Sequence, residues 1–358
     1  MAQLLPVNIA EYELLARERV EPGAWDYLSG GANDEVSLTR NVAAFRRINL
    51  LPRVLVDVTT VDTSVELLGH TIPTPILIAP TGFQTLSHPD GELATARAAA
   101  TTNTVMVLST MSAYTIEEVS AAAAGIKWFQ LYCYRNRSVT QRLVERAEAA
   151  GHKAICITVD LPRVGRRERD LRNGFELPDH AEPRNFIGLI EQEAADAQLG
   201  FADYIASLID PSLTWEIVEW LRSVTRLPIF LKGIHHPEDA RRAVDHGVEG
   251  LIVSNHGGRQ LDGVPASIDM LPGIVEAVGG KATVLLDGGI RRGTDVAKAL
   301  ALGADAILIG RPFLWGLAVD GEAGVKRVLD LLREELELAM ALLGCNTIAD
   351  LDLPPHLP

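Results

Sequence analysis

Residues 250–260 read Gly250-Leu251-Ile252-Val253-Ser254-Asn255-His256-Gly257-Gly258-Arg259-Gln260, an apolar run followed by a polar segment. The apolar run predicts a buried strand, and polar residues directly after it are typical of the carboxyl end of a barrel strand. His256 can exchange a proton near neutral pH, and the guanidinium of Arg259 can bind a carboxylate. The two glycines between them allow the backbone to approach a ligand closely. The segment therefore predicts acid–base chemistry on a small anionic molecule.

Short apolar runs of the same kind recur along the chain and alternate with amphipathic helical patterns. We predict strands at 75–79, 105–109, 127–131, 154–159, 228–232, 250–254, 283–287 and 305–309. Apolar strands that alternate with helices indicate a parallel sheet, and eight strands close a (β/α)8 TIM barrel. A doubly wound open sheet is the alternative. However, Pro80-Thr81-Gly82-Phe83 does not supply the glycine-rich turn that usually follows the first strand of such a sheet.

The rest of the chain is predicted to complete this barrel, so that residues 1–358 form a single domain. Residues 1–70 indicate helices followed by a short meander and predict an N-terminal cap. The barrel itself is predicted to span 71–345. Within it, the connection from strand 4 to strand 5 is long, covering 165–227, and connections of this length on a barrel are usually lids or binding segments.

The composition is that of a globular protein, with 47% hydrophobic and 22% charged residues. The net charge of −14 argues against nucleic acid or an anionic membrane surface as a partner. No apolar run reaches the roughly 18 residues of a membrane span. Cys133, Cys156 and Cys345 are far apart, which predicts neither a disulfide framework nor a metal site. We therefore expect a protein of the reducing cytoplasm that acts on a small molecule.

Active sites of barrel enzymes lie at the carboxyl ends of the strands, and here every predicted strand ends in polar residues or glycines. In chain order these are Pro80-Thr81-Gly82, Ser109, Gln130 and Tyr132, Thr158 and Asp160, Lys232, Ser254 to His256, Asp287-Gly288-Gly289, and Gly310-Arg311. Helix capping could account for the polar residues at any one strand end, but it does not easily account for those at all eight. The last two ends, with Arg291 close behind the seventh, place glycines and arginines where barrels commonly bind phosphate. A phosphorylated ligand is therefore predicted.

Two further strand ends carry residues that predict the chemistry. Asp160 can hold one ring nitrogen of His256 and stabilise the imidazolium, which gives a base and its orienting carboxylate. Lys232 directly follows a buried strand, so its ammonium requires an anionic partner. It can either form a Schiff base with a carbonyl substrate or stabilise negative charge that develops on a cofactor ring. Arg259 and Arg167 are candidate ligands of a carboxylate, although Arg167 also lies in a run of charged residues.

The chain resembles the FMN-dependent enzymes that oxidise L-2-hydroxy acids, the family of glycolate oxidase, lactate oxidase, mandelate dehydrogenase and flavocytochrome b2. The likeness spans nearly the whole chain. It rests on Trp25-Asp26-Tyr27, Phe129-Gln130-Leu131-Tyr132, Thr158-Val159-Asp160, Gly165-Arg166-Arg167, Leu231-Lys232-Gly233, Ser254 to Gln260, and Asp287 to Gly293. The resemblance implies an FMN-dependent (S)-2-hydroxy-acid oxidase with O2 as second substrate, acting on L-lactate or glycolate. It also implies a homo-oligomer, since relatives often form tetramers.

The resemblance further implies a role for each site residue. The substrate would contact Tyr27, Tyr132, Arg167, His256 and Arg259. His256 would be the base with Asp160 as its partner, and Lys232 would stabilise negative charge on the flavin. The isoalloxazine would be surrounded by Pro80, Thr81, Gly82, Ser109, Gln130, Thr158, Lys232 and Ser254. The ribityl chain and phosphate would be held by Asp287, Gly288, Gly289, Arg291, Gly310 and Arg311.

Gly82 departs from many oxidases of the family, which have alanine there, whereas mandelate dehydrogenase and lactate monooxygenase relatives have glycine. An open space beside the flavin would change how the reduced cofactor meets oxygen. We keep the oxidase interpretation because no cytochrome domain precedes the barrel. The alternatives are a mandelate-type dehydrogenase, a lactate 2-monooxygenase and, from another class, a barrel isomerase or lyase with Lys232 as Schiff-base residue. Met111 and Thr81 are expected to line the pocket for the substrate's side chain, with Phe83 or residues of the 180–210 loop completing it.

Overall fold

The computed structural model describes residues 6–190 and 201–352, so part of the predicted lid, residues 191–200, lies outside it. The region before the barrel contains helices and a hairpin: α1 (Ile9–Arg19), α2 (Pro22–Ser29), α3 (Val36–Phe45), β1 (Val65–Leu67) and β2 (His70–Ile72). Helix α1 begins where the side chain of Asn8 accepts a hydrogen bond from the backbone N–H of Glu11 at 2.9 Å. The helical character predicted for the cap is confirmed.

Eight parallel strands form a closed barrel. They are β3 (Ile76–Ile78), β4 (Met106–Leu108), β5 (Lys127–Leu131), β6 (Ile155–Thr158), β7 (Ile229–Ile234), β8 (Gly250–Val253), β9 (Thr283–Asp287) and β10 (Ala306–Ile309). Strand β10 pairs with both β9 and β3, which closes the barrel and confirms the predicted fold. Strand β7 runs two residues past its predicted end, because pairing with β8 resumes at Ile234 after an irregularity that follows Lys232.

The helices of the barrel region follow the strands. They are α4 (Gly91–Thr101), α5 (Ile116–Ala122), α6 (Arg137–Ala149), α7 (Glu168–Asn173), α8 (Phe201–Ser207), α9 (Glu216–Val224), α10 (Pro237–Asp245), α11 (Ser267–Val278), α12 (Gly293–Ala301) and α13 (Arg311–Leu343). Single 3₁₀ turns occur at Gln84–Leu86, Asp179–Ala181, Arg184–Phe186, His256–Gly258 and Ile348–Asp350. Helices α7, α8 and α9 lie in the long connection between β6 and β7. Within residues 6–190 and 201–352, no helix combines the length and apolar character needed to cross a membrane.

A separate apolar cluster fills the interior of the barrel. It includes Trp128 and Phe230, whose ring centroids lie 4.7 Å apart. Gly250 must lack a side chain, because a Cβ there would lie 2.1 Å from a ring carbon of Phe230. Leu67 and Ile72 of the hairpin belong to the same cluster, so the hairpin packs against the barrel interior at the starts of the strands. The opposite end, where the strands finish, is left for a ligand.

The cap is attached to the carboxyl end of β8. Asn41 of α3 and Asn255 exchange two side-chain amide hydrogen bonds of 2.7 Å each. The backbone N–H of Ala32 donates to the carbonyl of Gly258 at 2.8 Å. A buried amide that lost its partner would be left unsatisfied at a cost of about 1–3 kcal/mol, so this pairing fixes the docking of the cap. Docked in this way, the cap places Tyr27 of α2 at the mouth of the barrel.

Candidate active site

The carboxyl ends of the barrel strands surround a cavity of about 940 Å³ beneath the cap. Most residues predicted for the site line it: Tyr27, Pro80, Thr81, Gly82, Ser109, Tyr132, Arg167, Lys232, His256, Arg259, Asp287, Gly288, Gly289, Arg291, Gly310 and Arg311. The other four are Gln130, Thr158, Asp160 and Ser254. They lie beneath the cavity surface, where they hydrogen-bond to lining residues or to one another. The structure thus brings the predicted set together in one place.

His256 and Asp160 form a hydrogen-bonded pair across two strand ends. Nδ1 of His256 lies 3.0 Å from Oδ1 of Asp160, which leaves Nε2 as the ring nitrogen available to a substrate. The backbone of His256 has a φ of +55°, a left-handed conformation that is uncommon for residues other than glycine. Its N–H donates to Oγ of Ser254 at 3.0 Å, and the amide of Gln260 donates to the carbonyl of Asp160 at 2.9 Å. Unusual backbone held by such contacts is typical of functional residues.

Burial affects the two members of this pair in opposite senses. Burial lowers the pKa of His256, and the attraction of Asp160 does not fully restore it. For Asp160, burial alone would raise the pKa, but His256 and Lys232 bring it below its usual value. Near neutral pH the pair is therefore a neutral imidazole beside a carboxylate. That is the state of a base ready to accept a proton.

Two arginines converge on Tyr27 at the mouth of the cavity. Cζ of Arg259 lies 4.9 Å from the centroid of the Tyr27 ring, and Cζ of Arg167 lies 5.5 Å from it. Burial, together with the like charge of Arg167, lowers the pKa of Arg259 to about 10. Within the described part of the chain, neither arginine forms an ion pair; Arg259 donates only to the carbonyls of Tyr27 and Gly30, at 2.6 and 3.0 Å. A substrate carboxylate would supply the missing negative charge.

Lys232 is paired with a carboxylate inside the barrel. Its Nζ lies 3.1 Å from Oδ2 of Asp287 and donates to Oγ of Ser254 at 2.9 Å. Burial alone would lower the pKa of Lys232, but Asp287 and Asp160 raise it above its usual value. A lysine held in its protonated form is a poor nucleophile for a Schiff base. The pairing therefore counts against the isomerase or lyase alternative and suits a fixed cation beside a cofactor.

Buried arginines also mark the end of the cavity near β9 and β10. Arg311 donates to the carbonyls of Leu28, Gly30 and Gly257 at 3.2, 2.7 and 3.0 Å. Burial lowers the pKa of Arg311 to about 9, and the nearby charges of Arg259 and Arg291 contribute. The guanidinium of Arg291 donates to the carbonyl of Ile290 at 2.9 Å. Arginines held this close together favour an anion such as a phosphate.

The cavity fits FMN in two further respects. Thr81 Oγ1 and Asp287 Oδ1 are buried and have no hydrogen-bond partner among the described residues, so they are free to bind polar groups of the flavin or its ribityl chain. Gly289 has a φ of +88°, and a Cβ there would lie 2.0 Å from the carbonyl oxygen of Asn41. Only glycine can take this position, which keeps the main chain bare at the phosphate end. The residues present therefore suit the cofactor that the sequence predicts.

Apolar side chains form the remaining wall of the cavity. Met111, Phe83 and Thr81, which were expected there, line the cavity. Gly82, however, does not leave an open space in the direction of a side chain. A Cβ at Gly82 would lie 2.8 Å from the carbonyl oxygen of Met111 and 2.9 Å from its Cβ. The expectation of an open space is corrected here, because the Met111 segment already fills the place that an alanine methyl would take.

Sequence reasoning missed several lining residues between β6 and β7, among them the three residues Leu161, Asp170 and Phe175. The ring of Phe175 stacks on Tyr27, with centroids 5.2 Å apart and planes at 27°. Asp170 is close enough to Arg259 and Arg167 for each to lower its pKa, although burial outweighs them and raises it. The first and last of the three lie outside helices and strands, so no period in the sequence marks them.

Metal and thiol chemistry gain no support from the structure. Among residues 6–190 and 201–352, no group of three or more His, Cys, Asp or Glu side chains is arranged to hold a metal ion. The three cysteines are free and buried. Burial raises the pKa of Cys133 to about 12 and that of Cys156 still further, so neither forms a thiolate nucleophile near neutral pH.

Comparison with known proteins gives one consistent family. The chain is 52% identical over 353 residues to an L-lactate oxidase of Nostoc sp., with 97% of each chain covered. It is equally identical to a peroxisomal (S)-2-hydroxy-acid oxidase, GLO4, of Oryza sativa subsp. japonica, which covers 98% of this chain and 96% of the relative. A crystal structure of mandelate oxidase matches with a TM-score of 0.90, 46% identity and 96% coverage of both chains. The family model described as FMN-dependent dehydrogenase matches residues 16–355, and the chain belongs to this family.

Proposed function

We propose that this protein is an FMN-dependent oxidase of small L-2-hydroxy acids. L-Lactate or glycolate is the preferred substrate, O2 is the electron acceptor, and the products are the 2-keto acid and hydrogen peroxide. The observation that carries the proposal is the neutral imidazole of His256, held by the carboxylate of Asp160, in the same site as two arginines that form no ion pair among the described residues. Relatives with the names L-lactate oxidase and (S)-2-hydroxy-acid oxidase support the choice of substrate.

The carboxylate of the substrate binds at the mouth of the cavity. Arg259 and Arg167 both lie there without an ion-pair partner among the described residues, and each contacts the ring of Tyr27. A planar guanidinium can bind a carboxylate through two parallel hydrogen bonds, which fixes both position and orientation. The α-carbon and its hydroxyl are thereby directed towards His256.

His256 takes the proton that the substrate loses. Its Nε2 faces the cavity because Nδ1 is engaged with Asp160. Asp160 stabilises the imidazolium that forms, and Tyr132 contacts the hydroxyl. Burial raises the pKa of Tyr132, so its phenol remains protonated and can donate a hydrogen bond to the oxygen of the substrate. Removal of the hydroxyl proton and removal of the α-carbon proton use the same residues.

FMN would occupy the inner part of the cavity. FMN, when bound, supplies the acceptor for the two electrons that the α-carbon loses. Lys232, whose Nζ is held by Asp287 at 3.1 Å, would provide a positive charge to stabilise negative charge on the flavin. Arg291 and Arg311 would hold the phosphate, and Thr81 and Asp287 have unpaired hydrogen-bonding atoms for the rest of the molecule.

Larger, mandelate-like acids are the second candidate substrates. Phe83, Met111, Leu161 and Phe175 give the cavity an apolar wall against which the ring of such an acid can pack. Methionine adapts its shape to different ligands. The likeness to mandelate oxidase supports this candidate as well.

A panel of 2-hydroxy acids tests substrate and acceptor together. The purified FMN-loaded enzyme is mixed with L-lactate, glycolate or (S)-mandelate, first without oxygen and then in air, and the products are identified. We expect fastest turnover with L-lactate or glycolate, and one peroxide per keto acid. A decarboxylated acid would replace the oxidase assignment with a monooxygenase, and slow reaction with air would replace it with a dehydrogenase. D-Lactate is the control and should be inert.

The protein also forms a homo-oligomer, a tetramer, in the cytoplasm. Exposed apolar side chains support assembly: Leu51, Val54 and Leu55 are 54%, 81% and 102% exposed. Leu338 and Leu342, on the last turns of α13, are 60% and 67% exposed. The end of α13 lies next to the segment that contains Leu51, Val54 and Leu55, because the backbone N–H of Arg53 donates to the carbonyl of Leu343. Free, buried cysteines suit a reducing compartment. Light scattering on wild-type protein and Leu55→Glu tests the assembly, and a monomeric wild type would contradict it.

A further inference from the structure

Two buried polar atoms near the site have no hydrogen-bond partner among the described residues. One is Oδ2 of Asp160, whose other oxygen is bonded to His256. The other is Nε2 of His235, which lies in the loop between β7 and α10. Buried polar atoms are satisfied in the great majority of cases, often by ordered water. Neither atom has a role in the proposed reaction, so both require an explanation.

The backbone before His235 lies directly against Asp160. A Cβ at Gly233 would lie 2.6 Å from Cβ and Cγ of Asp160 and 2.9 Å from its Oδ2. The φ of +107° at Gly233 and the irregular pairing between Lys232 and Ile234 turn β7 at this point. The turn carries the chain past the face of Asp160 that His256 does not occupy. Each of Asp160 and His235 also shifts the pKa of the other, as expected for neighbouring groups.

We propose that His235 is a positioning residue for the catalytic pair: its Nε2–H donates, through one ordered water, to Oδ2 of Asp160. Asp160 then bridges two histidines, with His256 facing the substrate and His235 facing away from it. A carboxylate can only accept hydrogen bonds, so this arrangement requires the Nε2–H tautomer of His235. The mechanistic part of the inference rests on the proposed role of His256 as the base.

The consequence is a lower basicity at His256. A donor on Oδ2 stabilises the carboxylate, so Asp160 attracts the imidazolium of His256 less strongly. The charged groups that act on His235 are Asp160, Asp287 and Lys232, and burial lowers its pKa more than the two carboxylates raise it. Those that act on His256 are Asp160, Lys232 and Arg167. Removing His235 should therefore raise the pKa of His256.

The test compares His235→Leu and His235→Gln with the wild type. Leucine removes the donor, whereas a glutamine amide can keep a donor near the position of Nε2. His236→Asn is the matched control, because His236 is exposed and its side chain caps α10 through the N–H of Glu238, which asparagine can also do. The ring nitrogens of ¹⁵N-labelled histidines are titrated by NMR in the FMN-loaded protein. The pH dependence of anaerobic flavin reduction by L-lactate is measured in parallel.

For His235→Leu we expect the pKa of His256 to rise by about 0.5–1 unit, with the acid limb of the reduction rate moving by the same amount. The rate on the high-pH plateau should stay within about twofold of wild type, because His235 does not touch the substrate. His235→Gln and His236→Asn should titrate like the wild type. A His256 pKa that is unchanged in His235→Leu would overturn the proposal.

The NMR titration separates this inference from the proposed function. If His256 is not the base, the rate profile will not follow its pKa, yet the shift caused by His235→Leu will still appear in the spectra. A variant that does not fold leaves the wild-type spectra as the test. There, the Nε2 signal of His235 should respond as His256 titrates, and a signal that ignores His256 would contradict the link.

Discussion

The two functional regions of the cavity differ in how their charges are balanced. At the ends of β6 and β8, His256 has its carboxylate already in place, 3.0 Å away. Near Tyr27 and at the ends of β9 and β10, Arg259 and Arg311 have only main-chain carbonyls as acceptors in the described structure. Preorganised groups require no rearrangement during the reaction, whereas cations without counter-ions favour the binding of anions. The protein thus builds its base in advance and leaves its anion sites to be completed by ligands.

The anion sites also share one structural element. Both Arg259 and Arg311 donate to the carbonyl of Gly30, the residue that follows α2. Substrate carboxylate and cofactor phosphate are therefore expected to bind next to the same cap segment. Substituting the base should lower the rate of flavin reduction alone, whereas substituting the arginines should weaken the binding of substrate or cofactor.

The largest effect is expected when the base is removed. His256→Gln keeps the size and polarity of the side chain but cannot accept a proton, and general bases contribute about 10²–10⁴-fold. We expect anaerobic flavin reduction to slow by about 10³-fold while FMN remains bound. Stopped-flow absorbance measures the rate. His246→Gln, whose ring stacks on Trp215 outside the cavity, is the control and should reduce normally; a fast His256→Gln enzyme would move the base elsewhere.

The next largest effect belongs to the substrate arginine. Arg259→Lys keeps the positive charge but loses the paired hydrogen bonds to a carboxylate, so kcat/KM should fall by about 10²-fold. Steady-state peroxide production measures it. Arg166→Lys changes an arginine of the same rim whose side chain is 71% exposed, and it should stay near wild type. Equal losses in both variants would show that general charge, and not a specific ligand, is responsible.

Glu92 shows what happens to a buried carboxyl group that, unlike Asp160, lacks a charged partner in the described part of the chain. Glu92 is buried like Asp160, but no cation of the described residues acts on it, so burial raises its pKa from 4.5 to about 7. Its ionised form is therefore disfavoured in the folded state, and stability is lost as pH rises from about 4.5 to about 7. One pKa unit is worth about 1.4 kcal/mol, so this shift corresponds to a penalty of about 3 kcal/mol once both states are ionised.

Glu92→Gln removes this penalty, because an amide oxygen still accepts from the N–H groups of Gln84 and Ala113. The variant should be more stable than wild type at pH 8.5 and indistinguishable at pH 4.5. Urea unfolding at both pH values measures the difference. Glu145→Gln, an exposed change, should show no such dependence. A destabilised Glu92→Gln protein at pH 8.5 would mean that the folded state favours the ionised form of Glu92, which is the opposite of what its raised pKa implies.

The smallest effect is expected at the phosphate end of the cavity, where several groups contribute to FMN binding. Arg311→Lys should weaken FMN binding by about tenfold while leaving the reduction rate of the loaded enzyme near wild type. Recovery of flavin fluorescence on dilution measures the affinity. Arg292→Lys is the matched control, since Arg292 is 54% exposed and pairs with Glu335. A slow but tightly loaded Arg311→Lys enzyme would contradict the separation of binding from chemistry.

The barrel and its site were accessible from sequence for a simple reason. Buried parallel strands read as apolar runs, and the residue after each run falls at the carboxyl end of the barrel, so Asp160, Lys232 and His256 could be placed together. The Lys232–Asp287 ion pair was not predicted, because both residues were assigned to the cofactor and strand order alone does not tell which side chains at the strand ends meet. The approach of Gly233 to Asp160 and the filling of space beside Gly82 by Met111 depend on backbone detail that no local pattern encodes.

Anaerobic mixing of the FMN-loaded wild type with L-lactate tests the central claim most directly. The account predicts complete loss of the visible flavin absorbance, with one pyruvate formed per FMN, and no change with D-lactate. Retention of the flavin colour with L-lactate, glycolate and (S)-mandelate alike would contradict it.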